Sequence, residues 1–185
     1  EVASTFMEDL VLQEIAQEMG AEEELTLQME QLNEQISSVQ RQIACYKFEL
    51  ELHKEHNEKG YLSAKEIGAL FQKNMVEYMG DFVEQSKGSE NWWIYWSHIR
   101  NFFYVYSYAS GLLISKNLQK RVRSNPDFIK EVKELFSLGT SASPKSAFAK
   151  IGINISKKEF WEEGLQEQKV LLNRTWTLAE KLGKI

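Results

Sequence analysis

The architecture follows most directly from residues 23–57, which read EELTLQMEQLNEQISSVQRQIACYKFELELHKEHN. Apolar side chains recur in this stretch every three or four residues, which is the spacing of one face of an α-helix. They are Leu25, Met29, Leu32, Ile36, Val39, Ile43, Tyr46 and Leu50. Because the flanking charges form no sustained heptad pattern, the stretch predicts a long helix that faces a core rather than a coiled coil.

Helical spacing continues through the rest of the chain, and strand-like alternation is almost absent. Further helices are predicted at about 1–19, 63–78, 98–122, 128–138, 144–150 and 157–182. Ser63 and Glu66 have the spacing of a capping box, and Ser156 is predicted to cap the last helix. The sequence therefore predicts an all-α fold in which residues 1–185 form a single helical domain.

Composition narrows the functional classes. The chain has 185 residues, of which 43% are hydrophobic and 26% charged, as is usual for a globular protein. A net charge of -5 argues against nucleic acid as the main partner. No apolar run reaches the ~20 residues of a membrane span, and no signal peptide is recognisable. A single cysteine, Cys45, cannot form an internal disulfide, so we expect a reducing, cytoplasmic location and a buried thiol.

The three histidines differ in their surroundings. His53 and His56 are three residues apart, whereas the His-Glu-x-x-His motif of zinc peptidases places its histidines four apart. Their charged neighbours predict a solvated helix end. His98 instead stands between the aromatic clusters 92–96 and 102–108.

In a regular helix, Tyr106 would lie roughly 80° from His98, so the two side chains could converge on one site. Both can donate a hydrogen bond to a developing oxyanion. Tyr104 and Tyr108 would share another face. The residue pattern alone favours the simpler interpretation, an aromatic core with polar tips.

Glu1, Thr5 and Glu8 are spaced to lie on one side of the first helix. Glutamates at helical spacing usually form a solvated face. Their apolar neighbours suggest an alternative, because a carboxylate beside buried groups needs a cation, a metal ion or a hydrogen bond.

Taken together, these segments resemble the oligoendopeptidase F branch of the thimet oligopeptidase family. The resemblance rests on residues 1–8, Arg41–Gln42, Phe48–Glu49, and His98 followed by Phe103–Gly111, and it continues through 139–153. It implies the helical, C-terminal portion of a zincin-like catalytic domain. It also implies cleavage of short oligopeptides by a zinc-bound water. Ile99–Arg100 and Phe102 depart from the family pattern.

The resemblance also implies roles for individual residues. Glu1 would be the third zinc ligand, and Glu8 would support the ligands. His98, Tyr106 and Tyr104 would polarise the scissile carbonyl, and Tyr108 would bind substrate. The family's His-Glu-x-x-His motif is absent, because it lies upstream of the position that Glu1 matches. We therefore expect two zinc ligands and the general base on a missing upstream half, and no activity in this chain alone.

A second interpretation treats the chain as a non-catalytic helical interaction domain. It would dock a partner helix or form a homo-oligomer. In that case, apolar surface should be exposed around Trp92 and Trp96.

Overall fold

The computed structural model describes every residue from 1 to 185. It contains eight α-helices and no strand, which confirms the all-α prediction. The helices are α1 (Val2–Ala16), α2 (Ala21–Ile36), α3 (Gln42–Lys59), α4 (Ala64–Met79), α5 (Tyr106–Ser124), α6 (Ile129–Ser137), α7 (Pro144–Lys150) and α8 (Lys158–Lys181). None of them combines the length and the apolar character that crossing a bilayer requires.

The long helix predicted at 23–57 is interrupted. A π-helix occupies Ser37–Arg41 and separates α2 from α3. The serine pair at its start favours such a break, since paired small polar residues are a common cause of helix distortion. The predicted core face is also wrong. None of the eight stripe residues is buried, and Met29 is 55% exposed. The buried residues of the stretch are instead Gln28, Gln35, Ala44, Cys45, Phe48 and Glu49.

Contacts divide the chain into two compact units. Unit 1 consists of residues 1–35 and 110–185. Its apolar core is assembled from α1, α5, α6, α7 and α8, and it contains Phe6, Ile114, Leu118, Val132, Leu135, Ala147, Phe148, Ile151, Ile153 and Phe160. At Gly164 of α8, an added Cβ would lie 2.6 Å from the carbonyl oxygen of Leu113. Glycine is therefore required where α8 crosses α5.

Unit 1 also has a polar interior. Lys116 donates to Asp9 at 2.5 Å, and both side chains are about nine-tenths buried. The fully buried Gln119 donates to the carbonyl oxygen of Phe6 at 3.2 Å. These bonds join α1 to α5 and satisfy groups that would be costly to bury alone.

Unit 2 is the continuous segment 36–109. Its core lies between α3 and α4 and contains Ala44, Cys45, Phe48, Phe71, Met75, Trp96 and Val105. The capping box predicted at the start of α4 is confirmed, with Ser63 Oγ accepting from Glu66 N–H at 3.3 Å and Glu66 accepting from Ser63 N–H at 2.9 Å.

The predicted cap of the last helix is wrong. α8 starts after Lys157, whose side chain makes no cap, rather than after Ser156. The Ser156 N–H donates to the side chain of Asn154 at 3.0 Å. This short turn uses the Ser156 backbone and delays the helix.

Candidate active site

The segment around His98 is not the regular helix that the sequence predicts. A 3₁₀ helix covers Ser97–Asn101, and α5 begins only at Tyr106. Between them, Phe102 and Phe103 have φ values of 42° and 59°. They are the two non-glycine residues of the chain with positive φ, a conformation that bulky side chains rarely adopt.

This turn brings His98 together with two tyrosines. The Tyr104 ring stacks on the His98 imidazole, with centroids 5.4 Å apart and planes 24° apart. The Tyr108 hydroxyl and His98 Nε2 are hydrogen-bonded at 2.7 Å. The two tyrosine rings also meet edge to face, at 5.9 Å. We call His98, Tyr104 and Tyr108 the His98 cluster.

Tyr106 lies differently from the expectation. The convergence of Tyr106 with His98 assumed a regular helix from 98 to 106, and that helix is absent. Tyr106 is the first residue of α5 and is 64% exposed. The partners of His98 in the structure are therefore Tyr104 and Tyr108, which sequence reasoning had placed on another face.

Glu1 is held at the start of α1 by a close helix contact. It occupies the N-cap position, and its carbonyl oxygen accepts from Thr5 N–H at 3.0 Å. A Cβ on Gly111 of α5 would lie 2.7 Å from the Glu1 Cβ. Any side chain at position 111 would therefore displace Glu1.

The acids of α1 separate into exposed and buried ones. Glu1 and Glu8 are both exposed, while the neighbouring Asp9 is buried against Lys116. Asp9 was not among the predicted site residues, although its spacing of three from Phe6 places both on the core face. No group of three or more metal-ligating side chains lies together anywhere in the chain. The residues present therefore do not make up a complete zinc site, which usually needs three protein ligands.

His53 departs from the predicted solvated helix end. His56 is exposed, but the His53 ring packs on Phe103 at 5.3 Å and on Phe102 at 6.1 Å. The prediction for Cys45 is confirmed, because its side chain is fully buried. Burial raises the pKa of the Cys45 thiol to about 12, which makes it a poor nucleophile near neutral pH.

Glu49 is a further residue of this region to which sequence reasoning gave no role. Its side chain is fully buried on α3, and Oε1 accepts from the Phe103 N–H at 2.8 Å. The partners are 54 residues apart in sequence. The signals in the sequence were its position directly after the apolar Phe48 and the part that Phe48–Glu49 plays in the family resemblance.

The fold and these side chains define an all-helical protein with an imidazole–phenol cluster at a strained turn. Comparison with known proteins identifies the family to which this chain belongs. The sequence profile of Peptidase family M3 matches residues 1–167, and the chain belongs to this family of metallopeptidases. No solved structure matches the chain.

The chain is also similar to a protein named "Oligoendopeptidase F, chromosomal" from Lactococcus lactis subsp. cremoris. The two are 25% identical over 183 residues, which is 98% of this chain and 30% of that protein. The chain thus spans less than a third of the length of this curated relative.

Proposed function

We propose that this chain is the C-terminal part of a zinc-dependent metalloendopeptidase that hydrolyses short oligopeptides in the cytoplasm, and that it is inactive by itself. The observation that carries the proposal is the His98 cluster, in which an imidazole and two phenols meet. Membership of a metallopeptidase family supports it.

The cluster suits stabilisation of an oxyanion. During peptide hydrolysis, the carbonyl oxygen gains negative charge as its carbon becomes tetrahedral, and fixed donors lower the barrier. Tyr104 is 41% exposed and Tyr106 is 64% exposed, and neither hydroxyl is engaged in a hydrogen bond. In the proposal both donate to this oxygen together with His98. Tyr108 remains a substrate-binding candidate, and its bond to Nε2 also orients the imidazole.

Glu1 is the proposed zinc ligand of this chain. Its carboxylate is exposed at the end of α1, so it is open to a metal held mainly by residues outside 1–185. Zinc would supply Lewis acid activation of the substrate carbonyl and of water. Glu8 lies two turns further along the same helix face, and it would orient a ligand.

The first test is the coding sequence upstream of the Glu1 codon. The proposal requires His-Glu-x-x-His there, on a predicted helix. Absence of this motif would contradict the catalytic proposal.

The second test is enzymatic and uses the complete gene product with a quenched fluorescent oligopeptide. We expect His98→Ala and Tyr106→Phe each to lower kcat about 10²-fold, the usual loss for one oxyanion donor. Tyr61→Phe is the control, because Tyr61 is 75% exposed and lies outside the cluster. Equal activity in all three variants would rule out the assigned roles.

A non-catalytic interaction domain is the second candidate, and exposed aromatic side chains in unit 2 favour it. Phe82 is fully exposed, Tyr95 is 86% exposed and Trp92 is 41% exposed. Trp96 is buried, so only part of the surface expected around residues 92–96 is available. This candidate predicts a partner helix or a homo-oligomer, and it does not require the upstream zinc motif.

A further inference from the structure

The turn at Phe102 and Phe103 is a conformation that its own residues disfavour. Both are bulky aromatic residues with positive φ. Bulky residues keep a positive φ only when contacts with the surrounding structure impose that backbone conformation. The Phe102 side chain is 72% exposed, so burial of this ring is not what holds the backbone.

The restraint comes from one face of α3. Glu49 Oε1 accepts from the Phe103 N–H at 2.8 Å. The Phe103 ring meets Tyr46 at 5.6 Å and His53 at 5.3 Å. Tyr46 and His53 lie one helical turn before and after Glu49, so the three side chains form a continuous contact with the turn.

The turn at Phe102 and Phe103 brings the residues of the His98 cluster together. In an uninterrupted helix, His98 and Tyr108 would be separated by about 15 Å along the axis, since each residue rises about 1.5 Å. In the structure their polar atoms are 2.7 Å apart. The chain must therefore fold back between them, and it does so at Phe102 and Phe103.

Glu49 itself is an unusual choice for the acceptor. It is fully buried, and its Oε2 has no hydrogen-bond partner. The nearest cationic candidate is His53, whose Nε2 is 3.9 Å from Oε1 and whose side chain is 42% exposed. A buried carboxylate without a close cation opposes folding. Its advantage over a neutral acceptor is a stronger bond to the N–H.

We propose that Glu49 is a positioning residue that fixes the Phe103 backbone and thereby assembles the His98 cluster. The inference deepens the proposed function and rests on it for the catalytic consequence. Glu49 does not touch substrate. It acts through Phe103 on the orientation of His98, Tyr104 and Tyr108.

The direct test is nuclear magnetic resonance of the 185-residue chain. In Glu49→Leu, we expect the Phe103 amide to exchange with solvent at least tenfold faster. The His98 Nε2 resonance should also lose its hydrogen-bond shift. Glu51→Leu is the matched control, because Glu51 lies on the same helix but binds Lys73 and Asn74 of α4. Unchanged Phe103 and His98 signals in Glu49→Leu would overturn the inference.

Glu49→Gln covers the case in which Glu49→Leu fails to fold. The amide keeps an acceptor for the Phe103 N–H but loses the charge. We expect Phe103 exchange several-fold faster than in the unmodified chain and an intact His98–Tyr108 bond. A His98–Tyr108 bond that is lost while the Phe103 amide stays protected would overturn the inference, because the turn would then not assemble the cluster.

The catalytic consequence is measured on the complete gene product. Glu49→Leu should lower kcat tenfold or more with little change in KM, and Glu49→Gln should recover most of the loss. If the unmodified gene product cleaves no peptide, the proposed function fails while the resonance experiment still decides the positioning role. If it is active and both variants retain full kcat, the positioning inference fails alone.

Discussion

Each of the two units buries an acidic side chain, and each surrounds it differently. In unit 1, Asp9 lies against Lys116, with both side chains about nine-tenths buried. In unit 2, Glu49 meets a backbone N–H, and one of its oxygens has no partner. The first arrangement compensates the charge and ties α1 to α5. The second leaves the charge largely uncompensated and holds a disfavoured turn beside the candidate site.

This contrast indicates that burial alone does not reveal what an acid does. Removing one member of a buried ion pair leaves the other charge stranded, which is strongly destabilising. Removing a lone buried charge relieves a desolvation cost at the same time. Matched acid-to-amide substitutions at the two positions therefore separate a structural role from a positioning role.

The largest effect is expected for Asp9→Asn. It leaves the Lys116 ammonium buried without an opposite charge, and the free energy of unfolding should fall by about 3 kcal/mol. Breaking a buried ion pair usually costs about 3–5 kcal/mol. We expect the low end of this range, because the pair borders a cavity of about 200 Å³ that can admit water. Urea denaturation at pH 7 measures the change.

Asp127→Asn is the control for this substitution. Asp127 forms an ion pair with Lys130, but both side chains are more than three-quarters exposed. A change within about 0.5 kcal/mol is expected there. If Asp9→Asn cost no more than this, the pair would not be the compensated charge that the comparison assumes.

A smaller effect is expected for Glu49→Gln, about 1 kcal/mol in the same urea experiment. The amide oxygen still accepts from Phe103 N–H, while the new NH₂ group lacks an acceptor. A loss of unfolding free energy as large as that of Asp9→Asn would contradict the contrast between the two acids. It would mean that a cation depends on Glu49 as Lys116 depends on Asp9.

The smallest effect at pH 7 concerns Cys45, one turn before Glu49 on α3, because its thiol affects stability only in alkaline solution. Burial raises its pKa from 9.0 to about 12, Arg41 opposes this, and the Glu49 charge adds to it. The Cys45 pKa is therefore higher in the folded chain than in the unfolded chain. The contribution of the thiol to folding stability is fully present below pH 9 and is lost as the pH rises from 9 towards 12. The loss attributable to Cys45 should be about 1 kcal/mol per pH unit in that window.

Urea denaturation between pH 8 and 11 tests this by comparing the unmodified chain with Cys45→Ala, which should show a shallower alkaline decline. Glu49→Gln should lower the Cys45 pKa of the folded chain, so the decline still begins near pH 9 but levels off at a slightly lower pH. No shift would indicate that the Glu49 charge is screened from its neighbour.

Local signals predicted the helical class and several boundaries. Pro144 and Lys150 were predicted as the ends of α7, and the Ser63 capping box was read from two residues three apart. These features depend on neighbouring residues, which the sequence displays directly. The buried thiol of Cys45 was also anticipated.

The predictions that were wrong concern features that depend on residues distant in sequence. The turn at Phe102 and Phe103 needs Glu49, 54 residues away, and no local pattern announces a partner at that separation. The buried face of α2 is set partly by Gln28, which accepts from Thr175 at 3.0 Å across 147 residues. Apolar spacing identifies a helix, but tertiary partners decide which side is covered.

Unit 1 is built from two separate segments of the chain, and this limits when it can fold during synthesis. Asp9 and Lys116 are 107 residues apart, and the whole of unit 2 lies between them in the chain. Closing so long a loop costs entropy before any contact is gained, whereas unit 2 needs only its own continuous segment. During synthesis, a chain that has reached residue 109 contains all of unit 2 but only the first 35 residues of unit 1. The Asp9 side chain therefore has no partner cation at this position until Lys116 has been made.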